Sequence, residues 1–338
     1  MSIIFLSPWN IFSGHAILFT KLADKEGTMG SKKTITGYMG KTLNGLLSRI
    51  NEEFFENITE IRMRVGKPLI FIKDRKEYFP SYNGTFVEAI NRGYIVSQSD
   101  IQDALALMSD YSMYAFEEEL RRGYITLAGG HRVGLTGRAI VAGGYVRGLK
   151  NINGFNIRIS HEIKGCANTI ISKLALPKLY DTMIISPPGC GKTTLLRDVI
   201  RQLSDGIPDR FPGVTVGLAD ERSEIAGCFR GIPQNDIGIR TDVLDGCPKA
   251  EGLTMLLRAM APRVIAVDEL GGKQDAAAVE EVVNAGVCLI CTIHGDSVDD
   301  IRKKSALSDI LHIFQRFVVL SGPGRIKVFD EEGNFLCS

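Results

Sequence analysis

Residues 182–196 read TMIISPPGCGKTTLL. A short apolar run ends at Ser186, a Gly-containing loop follows, and a helical pattern opens at Lys192. Leu195, Leu196, Val199, Ile200 and Leu203 form its inner stripe. Strand, loop and helix in that order are what a phosphate-binding loop requires. A chain that wraps phosphates must turn successive backbone N–H groups inward, and Gly189 and Gly191 allow that sterically. The helix start adds its own N–H groups and the positive end of its dipole. The segment Ser186, Pro187, Pro188, Gly189, Cys190, Gly191, Lys192, Thr193 and Thr194 is therefore expected to bind ATP. Lys192 would reach the β- and γ-phosphates, and the Thr193 hydroxyl would bind Mg²⁺. The usual pattern begins with Gly where this chain has Ser186. Cys190 lies in the loop without an assigned role.

Outward from the loop, RVIAVDEL (263–270) places four apolar residues before two acids. A buried strand that ends in carboxylates is costly unless a cation waits there. Asp268 is expected to hold Mg²⁺ through water, and Glu269 to act as general base on the attacking water. GLADERSE (217–224) is a second acidic strand end, and CTIHG (291–295) a third polar one with Thr292 and His294. In an open α/β sheet ligands sit beyond the carboxyl ends of the strands. His294 reads equally as a γ-phosphate sensor and as a structural histidine. Glu221 reads as a catalytic carboxylate or as a salt-bridge partner of Arg222 or Arg240.

From Gly165 onward, short apolar runs alternate with helical segments, which predicts a mainly parallel sheet covered on both faces. RIKVFDEEGNFLC (325–337) predicts a closing hairpin around Glu332 and Gly333. Residues 38–164 read differently. A helix is expected over Lys41–Phe55 and another over Ser99–Leu120, capped by Ser99 or Asp100. EIRMRVGKPLIFIK predicts a hairpin turning at Gly66, Lys67 and Pro68. The Gly-punctuated runs from Tyr124 to Ser160 predict a small, mainly antiparallel sheet. The expected architecture is thus an α+β domain over 38–164 and an α/β phosphate-loop domain over 165–338. Residues 1–37 are expected to be a tail, with Met29 as an alternative start.

At 338 residues the chain is long enough for about two domains. Hydrophobic residues make up 44% and charged residues 23%, an ordinary globular balance. Forty Lys and Arg against 39 Asp and Glu leave a net charge of +1. No global basic field exists to hold nucleic acid, so none is expected to bind directly. The first thirty residues are too interrupted for a membrane span, and they lack the basic start of a signal peptide. Seven Cys, an odd number, suit reduced thiols and a cytoplasmic location better than a disulfide framework. Cys288 and Cys291, three apart in a strand, face opposite sides and read as core residues rather than a metal pair.

The run IRTDVLDGCPKAEGLTMLLRAMAPRVIAVDELGG (239–272), taken with the loop before it and CTIHG after it, resembles the secretion ATPase superfamily, and within it a sporulation branch. The resemblance spans about Ile58 to Val328 and includes EIRMRVGKPL, HRVGLTGR and FNIRIS. It implies a RecA-like ATPase domain behind a smaller one, assembled as a homo-hexamer with nucleotide between domains and at a subunit interface. It implies an acidic box at Asp220–Glu224 and a His box at Thr292–His294. It further implies arginines from the amino-terminal domain acting on the γ-phosphate. Arg132, Arg138 and Arg158 fit, with Arg158 preferred, and Arg222 and Arg240 are the carboxyl-domain alternatives. The implied partners are cytoplasmic parts of a membrane channel complex, which would hold the protein peripherally at the membrane. Two other functions compete: a nucleic-acid-dependent RecA-like ATPase, and a nucleotide-binding scaffold with negligible turnover.

Overall fold

The computed structural model describes residues 31–111, 117–303 and 308–338. Two sheets organise it. The first runs β4 (Phe86–Val87), β3 (Lys76–Pro80), β2 (Ile70–Lys73), β1 (Glu60–Arg64), β7 (Tyr145–Arg158), β6 (Arg132–Ala142) and β5 (Tyr124–Thr126). Every pairing in it is antiparallel. Apolar residues at alternate strand positions, among them Ile61, Met63, Phe71, Val133 and Ile157, bury against Leu43, Leu47, Phe55 and Ile101 of the covering helices.

Those helices depart from the expected bounds. Lys41–Ser48 and Glu52–Glu56 are separate, because Asn51 caps the second by accepting from the Glu53 N–H at 2.7 Å. The next helix covers Gln98–Met108, and its cap is Ser97 rather than Ser99 or Asp100. Ser97 Oγ accepts from the Asp100 N–H and the Asp100 carboxylate accepts from the Ser97 N–H, a reciprocal capping box. A short helix, Glu117–Arg122, follows. Ser31–Gly37, expected to lie in the tail, is helical and packs into this layer. Its Ile35 is fully buried and Lys32 donates to the Ile50 carbonyl at 2.6 Å. The expectations for residues 1–30, including Met29, lie outside the described residues.

The second sheet is ordered β10 (Thr241–Asp245), β9 (Val216–Asp220), β11 (Val264–Val267), β12 (Cys288–His294), β8 (Thr182–Ser186), β13 (Arg316–Gly322), β14 (Arg325–Asp330) and β15 (Phe335–Cys337). Strands from β10 to β13 pair in parallel, and β14 and β15 close the edge as antiparallel hairpins. Successive residues of β8 feed opposite layers. Ile184 joins Leu196, Val199 and Ile200 of the helix Lys192–Asp205. Met183 and Ile185 join Leu253 and Leu256 of Lys249–Met260, and Val279 and Val282 of Lys273–Asn284. Cys288 and Cys291 are free thiols split between these two layers, as strand alternation demands. Strand β10 was not anticipated, because TDVLD is too polar for a central strand; it sits on the sheet edge.

The sheets are joined by polar contacts. Arg132 Nη1 reaches Glu224 at 2.5 Å, Arg230 pairs with Asp110 at 3.2 Å, and the Gly129 N–H donates to Gln234 at 2.9 Å. At the first residue before β6, His131 is 2% exposed and its Nδ1 accepts from the Ser160 N–H at 3.0 Å. Burial, reinforced by the neighbouring His161, pushes its pKa down to about 4.

A neutral His131 in the fold must compete with an unfolded histidine that protonates near its ordinary value of 6.5. The unfolded chain therefore binds the extra proton as pH falls through 6.5, and the loss of stability levels off near 4. At most about 3 kcal/mol disappears across that window. Urea midpoints measured from pH 7 to 4 should fall less steeply in His131→Gln than in the parent chain. Equal slopes would remove this residue from the acid response.

Candidate active site

Four strand ends converge. The phosphate loop follows β8, Asp220 closes β9, Asp268 and Glu269 follow β11, and His294 closes β12. Ser186 and His294 are register partners, so the loop and the histidine begin at the same level.

The loop has the required backbone. Gly189 has φ +75° and Gly191 φ +92°, and a Cβ built at either would meet nothing within 4 Å. The concave side is thus open, and Lys192 starts the helix at its rim. This geometry fits a polyphosphate. Ser186 is fully buried and its hydroxyl donates to the Pro187 carbonyl at 2.9 Å, so it braces the loop from behind.

Asp268 is gripped from two sides. Thr193 Oγ1 donates to one carboxylate oxygen at 3.2 Å, and Thr292 Oγ1 donates to the other. Thr292, wholly buried in β12, also accepts from the Glu269 N–H at 2.8 Å. That bond helps to hold Glu269 in the left-handed region at φ +59°, an uncommon conformation for a residue with a side chain. The Glu269 side chain is fixed as well: Oε1 lies 2.9 Å from His294 Nε2, and Oε2 accepts from Arg222 at 2.8 Å. His294 Nε2 in turn lies 3.0 Å from Lys192 Nζ. A single ring nitrogen cannot accept from Lys192 and donate to Glu269 at once, so its tautomer selects between them. The donors Thr193 and Asp268 are all oxygen, which suits Mg²⁺. Among the described residues no three His, Cys, Asp or Glu side chains gather as a closed metal cluster.

The acidic box divides. Asp220 is buried and accepts from the N–H groups of Glu224, Ile225 and Ala226 at 2.9, 3.0 and 2.9 Å. Burial pushes its pKa up to about 6, against those three donors. It shapes the turn. Glu221 pairs with Lys249 at 2.7 Å, not with Arg222 or Arg240. Arg222 belongs to Glu269, and Arg240 donates to the Ser204 carbonyl at the end of the phosphate-loop helix, at 2.7 Å. Glu224 closes the acidic box and had no role of its own assigned from the sequence. It receives Arg132 at 2.5 Å and lies 3.7 Å from Arg158. Buried Arg197 donates to the Glu224 and Ile225 carbonyls at 2.7 Å each, fixing the turn that carries it. Arg158 is thereby brought to the junction between the two sheets, with its side chain half exposed, while Arg132 stacks on Tyr124 and is committed to Glu224. Arg138 lies on an exposed part of β6, away from this junction.

A parallel sheet with a phosphate loop after one strand and carboxylates after two others at the same sheet end defines a RecA-like, P-loop class of protein. Among solved structures, the ATPase DotB of Yersinia pseudotuberculosis superposes with a TM-score of 0.51 at 16% identity, over 84% of this chain and 75% of that one. This likeness is one of fold. Residues 29–336 match the family described as Sporulation stage III, protein AA, and the chain belongs to that family. It is 42% identical over 308 residues to stage III sporulation protein AA of Bacillus subtilis (strain 168), covering 89% of this chain and 96% of that protein. It is also 25% identical over 287 residues to the protein SEEDLING PLASTID DEVELOPMENT 1 of Arabidopsis thaliana, covering 84% and 35% respectively.

Thr292→Val keeps the shape and removes the hydroxyl. The Glu269 N–H and one Asp268 oxygen then lose their partner in a buried place, at a cost of about 1–3 kcal/mol. Urea unfolding should show that loss. A stability unchanged to within about 0.5 kcal/mol would mean that Thr292 organises neither residue.

Proposed function

We propose that this protein is a Mg²⁺-dependent ATPase of the secretion type, which works as a ring and energises assembly of, or transport through, a sporulation membrane channel. The observation that carries the reading is the placement of His294 Nε2 between Lys192 Nζ and the Arg222-held Glu269 carboxylate, beside the phosphate loop. Membership of the sporulation family supports the setting.

In this reading the loop N–H groups of residues 189–194 bind the β- and γ-phosphates, and Lys192 exchanges its imidazole contact for phosphate oxygen. His294 Nε2 is then released to donate to Glu269 or to the γ-phosphate. Thr193 and Asp268 would hold Mg²⁺, which would supply charge neutralisation on the phosphates. Glu269, fixed by its backbone N–H and oriented by Arg222, takes the proton of the attacking water. Arg158 completes the charge compensation when the domains close or a neighbouring subunit approaches. Glu221 has a structural role through Lys249. A homo-hexamer is the assembly the reading requires. Among the described residues no helix is long and apolar enough to cross a membrane.

Lys192→Ala should lose binding of labelled ATP, since a compact ammonium on the phosphates is gone. Glu269→Gln should keep binding and lower kcat about 10²–10⁴-fold, because the amide cannot take up a proton. Normal turnover in Glu269→Gln with none in Glu221→Gln would move the base to the acidic box.

Arg158→Ala should lower kcat far more than ATP affinity, up to about 10³-fold or more for a finger arginine. Mixing it with Lys192→Ala subunits should restore part of the rate, because a mixed interface can pair an intact loop with an intact arginine. Full activity of Arg158→Ala alone would exclude the role.

A further inference from the structure

The central hairpin of the first sheet is longer than the sheet. Strand β5 ends its pairing with β6 at Gly134, and β1 pairs with β7 only from Gly154 onward. From Arg138↔Lys150 to Ala142↔Tyr145 the two strands have no other strand partner. Leu149 is the last side chain of this ribbon to pack on the core. The ribbon is set off by a bulge at Gly137, where a Cβ would lie 2.8 Å from the Lys150 carbonyl oxygen, so a side chain has no room. A free two-stranded ribbon is marginal in water, and its two faces call for a surrounding medium or partner.

Its chemistry is polarised along its length. The tip, AIVAGGYV (139–146), carries no charge. Val141 is 61% exposed and Tyr145 72%, with Ile140 and Val146 also open to solvent. Val141 pairs with Val146 on one face, and Tyr145 pairs with Ala142 on the other beside Ile140. Both faces are therefore apolar. A docked protein would cover one face; an isotropic apolar medium covers both. Behind the tip stand Arg138, Arg147 and Lys150, all exposed and, among the described residues, paired with no carboxylate. Residues 132–158 contain five basic side chains and no Asp or Glu. In a chain of net charge +1 this is a strong local bias.

We propose that the 139–146 tip inserts into the headgroup region of an anionic membrane, with Arg138, Arg147 and Lys150 as a basic collar on the lipid phosphates. Four residues of strand reach about 10–14 Å, enough to enter an interfacial layer about 5–10 Å deep. Tyr145 suits that layer, having an apolar ring with a polar end. The contact is direct, made by this chain, and it orients the protein on the membrane.

The test uses the full chain and vesicles of phosphatidylcholine with or without phosphatidylglycerol. Co-sedimentation should require phosphatidylglycerol and weaken as salt is raised. Arg147→Gln and Lys150→Gln should each lower partitioning about fivefold. The pair Val141→Asp with Tyr145→Asp should lower it more than about tenfold, with circular dichroism and melting temperature unchanged, since both side chains lie in solvent. Tyr145→Trp should add blue-shifted emission on vesicle addition relative to the parent chain. Three results overturn the proposal. One is no binding to the phosphatidylglycerol vesicles. Another is equal binding to both vesicle types. The third is binding that the double Asp variant leaves intact, which would transfer the contact to another segment and leave the ribbon to an acidic protein surface. None of these readouts depends on hydrolysis, so this proposal and the ATPase reading fail separately.

Discussion

Asp268 follows a strand whose residues are all buried, and a carboxylate in that position must be answered by donors or by a cation. The fold answers it with two hydroxyls: Thr292 in the neighbouring strand β12, and Thr193 at the head of the helix that follows β8, one strand further on. Much of the site follows from that grip. It sets the level of the loop against β11. Through the second bond of Thr292 it also holds the next residue, Glu269, in a left-handed conformation that aims its side chain at His294 and Arg222. The Thr193 and Asp268 oxygens of that grip are also the ones proposed to hold Mg²⁺.

A second carboxylate, Asp220, works in the opposite sense. It is turned inward and spent on three backbone N–H groups. The turn that it makes presents Glu224 to the other sheet, where Arg132 and Arg158 arrive from the two strands of the central hairpin. A single turn after β9 therefore connects the end of the parallel sheet that carries the Gly189–Lys192 loop with the hairpin of the antiparallel one. The distal end of that hairpin carries the uncharged tip. If hydrolysis alters the Arg158–Glu224 contact, the element that feels it is the one that leads to the ribbon, in one continuous pair of strands.

The sequence and the structure agree most closely where local chemistry is stringent. A loop that needs Gly at two positions, a Lys at the helix start and a Thr after it leaves few alternatives, and GCGKTT is legible at sight. The strands β8, β9, β11 and β12 were legible because buried parallel strands are continuous apolar runs. Strand β10 was not, because an edge strand carries polar residues and TDVLD lacks the run. The helix breaks at Asn51 and after Met108 were also hidden, since the apolar spacing continues across a cap.

By itself the sequence determined the class of fold, the phosphate loop, the acids after β11 and the apolar–polar rhythm of both sheets, for each depends on neighbours within one turn or one strand. Only the tertiary structure decided which acid faces which base. Asp220, Glu221 and Glu224 lie within five residues, yet they went to a buried turn, to Lys249 and to two arginines of the other sheet. Arg222, one residue beyond Glu221, went to Glu269. Those choices depend on strand order and on the rotation of one sheet against the other. Such distances between residues remote in the chain leave no trace in local spacing.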